Sequence, residues 1–167
     1  MKRFLGTAIA ALAFIPLTTG SALAGGSPGS IGLGAEYQVS GLGGLSITYD
    51  QGDYHLGGFL GFSDGSGDDD SDFTLGGRFF YHVHSTAHSD FSVGGSIGIA
   101  FIGDRSPQVD NGQTLVFLEP SAQIRVFLVQ NVALSFTGGI ALGMVDADGV
   151  LITGQTTGAA GVHYYFF

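Results

Sequence analysis

Cysteine is absent from the 167 residues, which excludes disulfides and thiolate metal sites. Tryptophan is also absent, and proline occurs 4 times. Cations are scarce: 5 Lys and Arg stand against 14 Asp and Glu. Lys2 and Arg3 lie at the extreme start, so beyond residue 24 the strong cations are Arg78, Arg105 and Arg125, for a net charge of about −11. Such a surface repels phosphate backbones and excludes nucleic acid as a partner. After residue 24 no apolar run reaches the ~20 residues that a membrane helix requires. A helical anchor is therefore not expected. Charged residues make up 11% of the chain against 44% hydrophobic ones. That is poor in charge for a solvated strand surface, which normally carries many charges of both signs.

What is abundant is glycine, 30 residues, and period-two alternation. Met1 to Ala24 has the form of a secretory leader. Lys2 and Arg3 are its charged start, Phe4 to Ile15 its apolar run, and Ala22-Leu23-Ala24 its small-residue cleavage site. Residues 25–30 read as a flexible lead-in, and 31–167 as one domain. From Ile31 onward alternation dominates, with no competing 3.6-residue pattern. Val132–Met144 is the clearest strand, with Leu134, Phe136, Ile140 and Leu142 on one face and Ala133, Ser135, Thr137 and Ala141 on the other. The segment from Phe91 repeats the design through Val93, Ile97, Ile99 and Phe101. Six further strands follow the rule: Ile31–Val39, Leu45–Tyr49, Tyr54–Phe62, Phe73–Val83, Thr114–Leu128 and about Gly154–Phe167. The total is even, as outer-membrane barrels require.

Connection lengths alternate too. Gln51–Asp53, His84–Ser89 and Val129–Asn131 are short. Ser40–Gly44, Ser63–Asp72, Gly103–Gln113 and Val145–Val150 form the other set and include the two longest. Short turns at one end and longer loops at the other fit a membrane barrel with both termini in the periplasm. The predicted fold is all-β: an eight-stranded antiparallel up-and-down transmembrane β-barrel. Its apolar face meets lipid and its Ser-, Thr- and Gly-rich face lines the lumen. Pro120 lacks an amide to donate inside a strand with two neighbours, so a bulge is expected there.

The chain ends in an aromatic alternating strand. Gly161, Val162, Tyr164 and Phe166 fit the Gly-Val-x-Tyr-x-Phe ending of small outer-membrane barrels, with Phe167 as one extra residue. The chain thus resembles the OmpA/OmpX-like superfamily. The resemblance implies a Gram-negative outer-membrane location and contact of the last strand with the barrel-assembly machinery. It also implies outer-membrane lipid and lipopolysaccharide as surroundings.

Glu36, Arg78, Glu119 and Arg125 face the predicted lumen, with Gln38, His82, Gln123 and His163 at the edges. Charges in a space that narrow need partners. A network of the four is expected, similar to the internal ion-pair cluster of the OmpA barrel. It reads either as an ordinary satisfied core or as a plug or gate. Phe59, Phe80, Phe127 and Tyr165 are the side chains available to fill the glycine-lined remainder. Asp64, Asp68, Asp70 and Asp72 offer oxygen ligands to Ca²⁺ or to ions bridging lipopolysaccharide phosphates, but lack the spacing of an EF-hand loop; a solvated loop is the plainer reading. His82 and His84 share a strand face by spacing, with His88 in the next turn. Zinc is one reading of them and a wet turn the plainer one. No cofactor is expected. The outer-membrane lipid A deacylases carry a His-x-Ser segment, and no His here has Ser two positions later. The expected role is structural or surface-interacting and not enzymatic. A narrow small-solute channel and a lipid A-modifying enzyme are the alternatives.

Overall fold

The structure is a computed structural model that describes residues 28–38, 43–64, 71–103, 113–145 and 149–166; for 38, 144–145 and 149–157 only the backbone is described. Eight strands follow in order: β1 (Ile31–Gln38), β2 (Gly43–Asp50), β3 (Tyr54–Asp64), β4 (Ser71–Ser85), β5 (Ser89–Ile102), β6 (Gln113–Val129), β7 (Val132–Val145) and β8 (Gly149–Phe166). Each pairs antiparallel with its sequence neighbours. β1 closes on β8, with Ile31 opposite Phe166 and Gln38 opposite Ala159. Closure removes both sheet edges, so every strand has a partner on each side. The three short turns and both ends of the strand sequence lie at one end, here called the terminal mouth. At the β2–β3 turn Gly52 takes φ +87°, a left-handed conformation that a side chain would strain.

The sidedness is inverted relative to a water-soluble barrel. Leu45, Ile97, Phe136 and Leu118 project outward and are 66%, 60%, 53% and 54% exposed. The described interior is mostly polar: Ser46, Thr48, Asp50, His55, Thr74, His82, Asp90, Ser92, Ser96, Gln123, Arg125, Ser135 and His163 are buried. Phe59, Phe80, Phe127, Ala133 and Tyr165 supply its apolar part. Alternation along each strand produces this split, because successive side chains point to opposite faces.

Glycine leaves room for the aromatic fillers. A Cβ on Gly98 would lie 2.6 Å from Phe117 Cζ, and one on Gly76 would overlap the Phe59 ring. These two rings pack 6.3 Å apart, facing a wall without side chains. Gly98→Val is expected to lower unfolding stability by about 1–3 kcal/mol through overpacking. Gly77→Val, on the outer face with nothing nearer than 3.8 Å to an added Cβ, serves as the matched control. Urea-unfolding midpoints of the two variants measure the difference.

The strands run longer than alternation alone delimits. β8 begins at Gly149 and not at about Gly154, because Ala141 opposes Gln155 while Gly143 opposes Leu151. β8 carries two more residues than β7 between these pairs, an irregularity that period-two reading does not delimit. Around Pro120 the structure corrects the reading: β6 keeps one register with β7 from Leu118 through Ser121, with no bulge. Pro120 remains paired with Gly95 of β5, and on the β7 side Glu119 and Pro120 are both left without a ladder partner. The irregularities fall elsewhere, between His82 and His84 and between Phe127 and Val129. The expected longer loops lie mostly outside the described residues.

Candidate functional site: the polar lumen

Among the described residues, two separate ionic clusters occupy the lumen. The first spans its middle. Arg78 of β4 donates Nη1–H and Nη2–H to Glu36 Oε1 and Oε2 of β1, each at 2.8 Å. This fork-to-fork geometry is the strong form of the contact. Register makes it sterically free: Arg78 stands opposite Gly57 and Glu36 opposite Gly161, so both long side chains lie over bare backbone. Phe59 sits under the guanidinium at 4.6 Å. His163 Nε2 contacts Glu36 Oε1 at 3.3 Å and Ser46 Oγ at 2.6 Å.

Ser46, His163 and Glu36 thus meet, but not as a catalytic triad. A triad needs its acid on the imidazole nitrogen away from the hydroxyl. Here both contacts fall on Nε2, and Nδ1 has no hydrogen-bond partner. Among the described residues nothing orients the ring as a base for Ser46.

The second cluster closes the terminal mouth around Arg125 of β6, which is 1% exposed. Its guanidinium is 2.7 Å from Asp50 of β2 and 2.8 Å from Asp90 of β5. Nε–H donates to both Asp90 oxygens, at 3.1 and 3.0 Å, and Nη1–H donates to the Tyr165 hydroxyl at 2.9 Å. Nη2–H donates to His82 Nε2 at 3.0 Å. His82 Nε2 is also 2.8 Å from His55 Nδ1, while His82 Nδ1 is 2.6 Å from the Gly52 carbonyl. Side chains from β2, β4, β5 and β8 therefore meet the β6 cation, and His55 of β3 joins the cluster through His82.

The four-membered network expected from the sequence divides accordingly. Glu36 meets Arg78, but Arg125 meets Asp50 and Asp90, and the Glu119 carboxylate forms no ion pair with a described residue. Glu119 lies six residues along β6 from Arg125, roughly 20 Å at the usual strand rise, while Arg78, in register with Glu119 through Ser96, is taken by the Glu36 fork. His163 joins the middle cluster and His82 the mouth. Gln123 donates to Thr137 Oγ1 at 2.9 Å, and its own oxygen is unpartnered. The Gln38 side chain is outside what is described. Val162, Tyr164 and Phe166 form the outward face of β8, Gly161 lies under Glu36, and Phe167 falls outside the described residues. Asp64 accepts from the Ser71 hydroxyl at 3.2 Å, and Asp72 accepts from the Gly103 amide at 3.1 Å. Asp68 and Asp70 lie outside the described residues. His84 does not share a face with His82, because the bulge between them turns it outward; His84 and His88 are exposed.

Asp50, Asp90 and His55 are the members that sequence reasoning missed, and Tyr165, expected as a lumen filler, also binds the guanidinium through its hydroxyl. Asp50 and Asp90 abut turns, so they read as turn residues. Extending the polar face of β2 from Ser46 and Thr48 by two residues reaches Asp50. Extending that of β5 back from Ser92 reaches Asp90.

No protein-family model and no curated protein matches the chain. Among solved structures it is similar to the crystal structure of the N-terminal β-barrel domain of Pseudomonas aeruginosa OprF. The TM-score is 0.64 at 16% identity, over 83% of this chain and 98% of that one. Such divergence in sequence, with nearly all of the OprF domain covered, makes the likeness one of fold: the chain folds, like that domain, as a closed eight-stranded antiparallel barrel.

Proposed function

We propose that the protein is an outer-membrane β-barrel with a structural or surface-interaction role and a lumen plugged by its own side chains. The supporting observation is the inverted sidedness: a continuous apolar outer wall around a polar, ion-paired interior. In water such a wall would expose large hydrophobic residues on every strand, whereas in hydrocarbon it is the favoured surface. The barrel also satisfies its backbone groups internally, the condition for crossing hydrocarbon. On this reading residues 1–24 are a cleaved export leader and the terminal mouth faces the periplasm. The last strand engages the assembly machinery, and lipid and lipopolysaccharide surround the wall. Catalysis has no support in the Ser46–His163 contact, which is enclosed in the lumen and lacks an orienting acid.

Spin labels at Ile97 and Ser96 test the setting. In lipid vesicles the Ile97 label should be relaxed by oxygen, and the Ser96 label should be spared by it. The reverse order would defeat the membrane reading. Planar-bilayer recording tests the plug. The purified barrel should give no steady open conductance, and a sustained current would establish the narrow-channel alternative in its place.

A further inference from the structure

The mouth cluster has more ligand chemistry than a structural ion pair needs. Asp50, His55 and His82 each present one ligand atom, and the three atoms lie within 4.8 Å of one another. They come from the adjacent strands β2, β3 and β4 and are 0%, 2% and 9% exposed. Two imidazoles and a carboxylate form a donor set suited to first-row divalent transition metals, zinc in particular.

The Gly52 turn orients two of the three. Its carbonyl can only accept, so the 2.6 Å contact puts the proton of His82 on Nδ1 and leaves the Nε2 lone pair facing the cluster. Metal-bound histidines are fixed in this way, by donating their other N–H to a carbonyl or carboxylate. The Gly52 amide donates to Asp50 Oδ1 at 2.9 Å, which leaves Oδ2 turned inward. Asp50 Oδ2 is 2.7 Å from Arg125 Nη1, yet it accepts no hydrogen bond, because the contact lies off the N–H direction. This buried carboxylate oxygen is thus ion-paired but accepts no directed hydrogen bond, and it retains a lone pair that a metal ion could share.

Charge favours a cation as well. Asp50 and Asp90 outnumber Arg125, so with neutral imidazoles the buried mouth carries an excess negative charge. We propose that Asp50, His55 and His82 bind a divalent transition-metal ion of the zinc class at the terminal mouth of the lumen. The ion takes Asp50 Oδ2, His55 Nδ1 and His82 Nε2, and water completes its coordination. His55 then carries its proton on Nε2. The two imidazole nitrogens, now 2.8 Å apart, separate to about 3.3 Å, the span set by metal–nitrogen bonds of about 2.0–2.1 Å. Arg125 gives up its 3.0 Å contact with His82 and keeps Asp90 and Tyr165.

The ligands are enclosed, so the test loads the metal during refolding. The full chain is refolded into detergent with Zn²⁺, dialysed, and its metal content measured. Folding is verified by a shift in gel migration on boiling. The wild type should retain about one ion per chain, and His55→Gln and His82→Gln should bind it more than about tenfold more weakly. A His84→Asn/His88→Asn variant, altered only at the exposed histidines, should retain metal as the wild type does. No retention by the wild type, or loss that follows His84 and His88, would overturn the site. If the His55 and His82 variants do not fold, Cu²⁺ electron paramagnetic resonance of the wild type decides. Hyperfine coupling to two imidazole nitrogens supports the site, and a spectrum with one nitrogen or none rejects it.

Discussion

Arg125→Leu is expected to destabilise the barrel by more than about 3–5 kcal/mol, enough to leave much of the protein unable to refold. The substitution removes the one cation held between Asp50 and Asp90, which are 0% and 1% exposed. Two buried carboxylates would then face each other with no compensating charge, and the Tyr165 hydroxyl and His82 Nε2 would each lose a donor. Removing one partner of a buried pair is expensive because of the charge that it strands, so neutralising the stranded charges should reverse much of the loss. The triple variant Arg125→Leu, Asp50→Asn, Asp90→Asn should therefore be more stable than Arg125→Leu alone. Arg125→Lys should fall between, since an ammonium keeps the charge but cannot address Asp50, Asp90, Tyr165 and His82 at once. Urea-unfolding midpoints in lipid vesicles, read by gel migration with and without boiling, order the four proteins. An Arg125→Leu protein as stable as wild type would show that the mouth cluster contributes nothing net.

The middle pair should be more forgiving. Arg78→Leu strands one carboxylate, and Glu36 keeps its contact with His163. The two clusters also differ in what the sequence discloses about them. The Glu36–Arg78 pair involves mid-strand residues that interrupt a run of Ser, Thr and Gly, so parity alone puts both on the inner face. The Arg125 cluster was half legible: Arg125 itself stands mid-strand, but its counterions sit where strands end and turns begin. Parity does not say which of two residues at a boundary still points inward. Nor does alternation say which charges can meet across a closed lumen. Glu119 has the right face but stands far along β6 from Arg125, and Arg78, in its own row through Ser96, is already paired with Glu36. His82 and His84 fail for a related reason, since one inserted residue moves every later side chain to the opposite face. The strand count and the identity of the outer wall were readable throughout, because they depend on long runs of period-two pattern that a single bulge does not erase.

Ile97→Arg separates a membrane wall from a solvated one by the sign of its effect. Ile97 lies mid-strand on β5, opposite Gly77 of β4 and Leu118 of β6, and is 60% exposed. On a barrel in water, replacing so exposed a side chain with Arg would leave stability nearly unchanged, within about 0.5 kcal/mol. At the midplane of a bilayer the same change should destabilise by about 2–4 kcal/mol. The penalty depends on depth, which provides the internal control. Val83 is 57% exposed but lies near the mouth end of β4, at the bulge before His84. Val83→Arg should shift stability by only about 0–1 kcal/mol, because an interfacial guanidinium reaches headgroups and water. Unfolding of the two variants in vesicles should thus differ although their exposures nearly match. Equal, near-zero effects at both positions would mean that the apolar wall faces water or another protein surface and not acyl chains. A gradient from mouth to middle is the result that hydrocarbon alone produces.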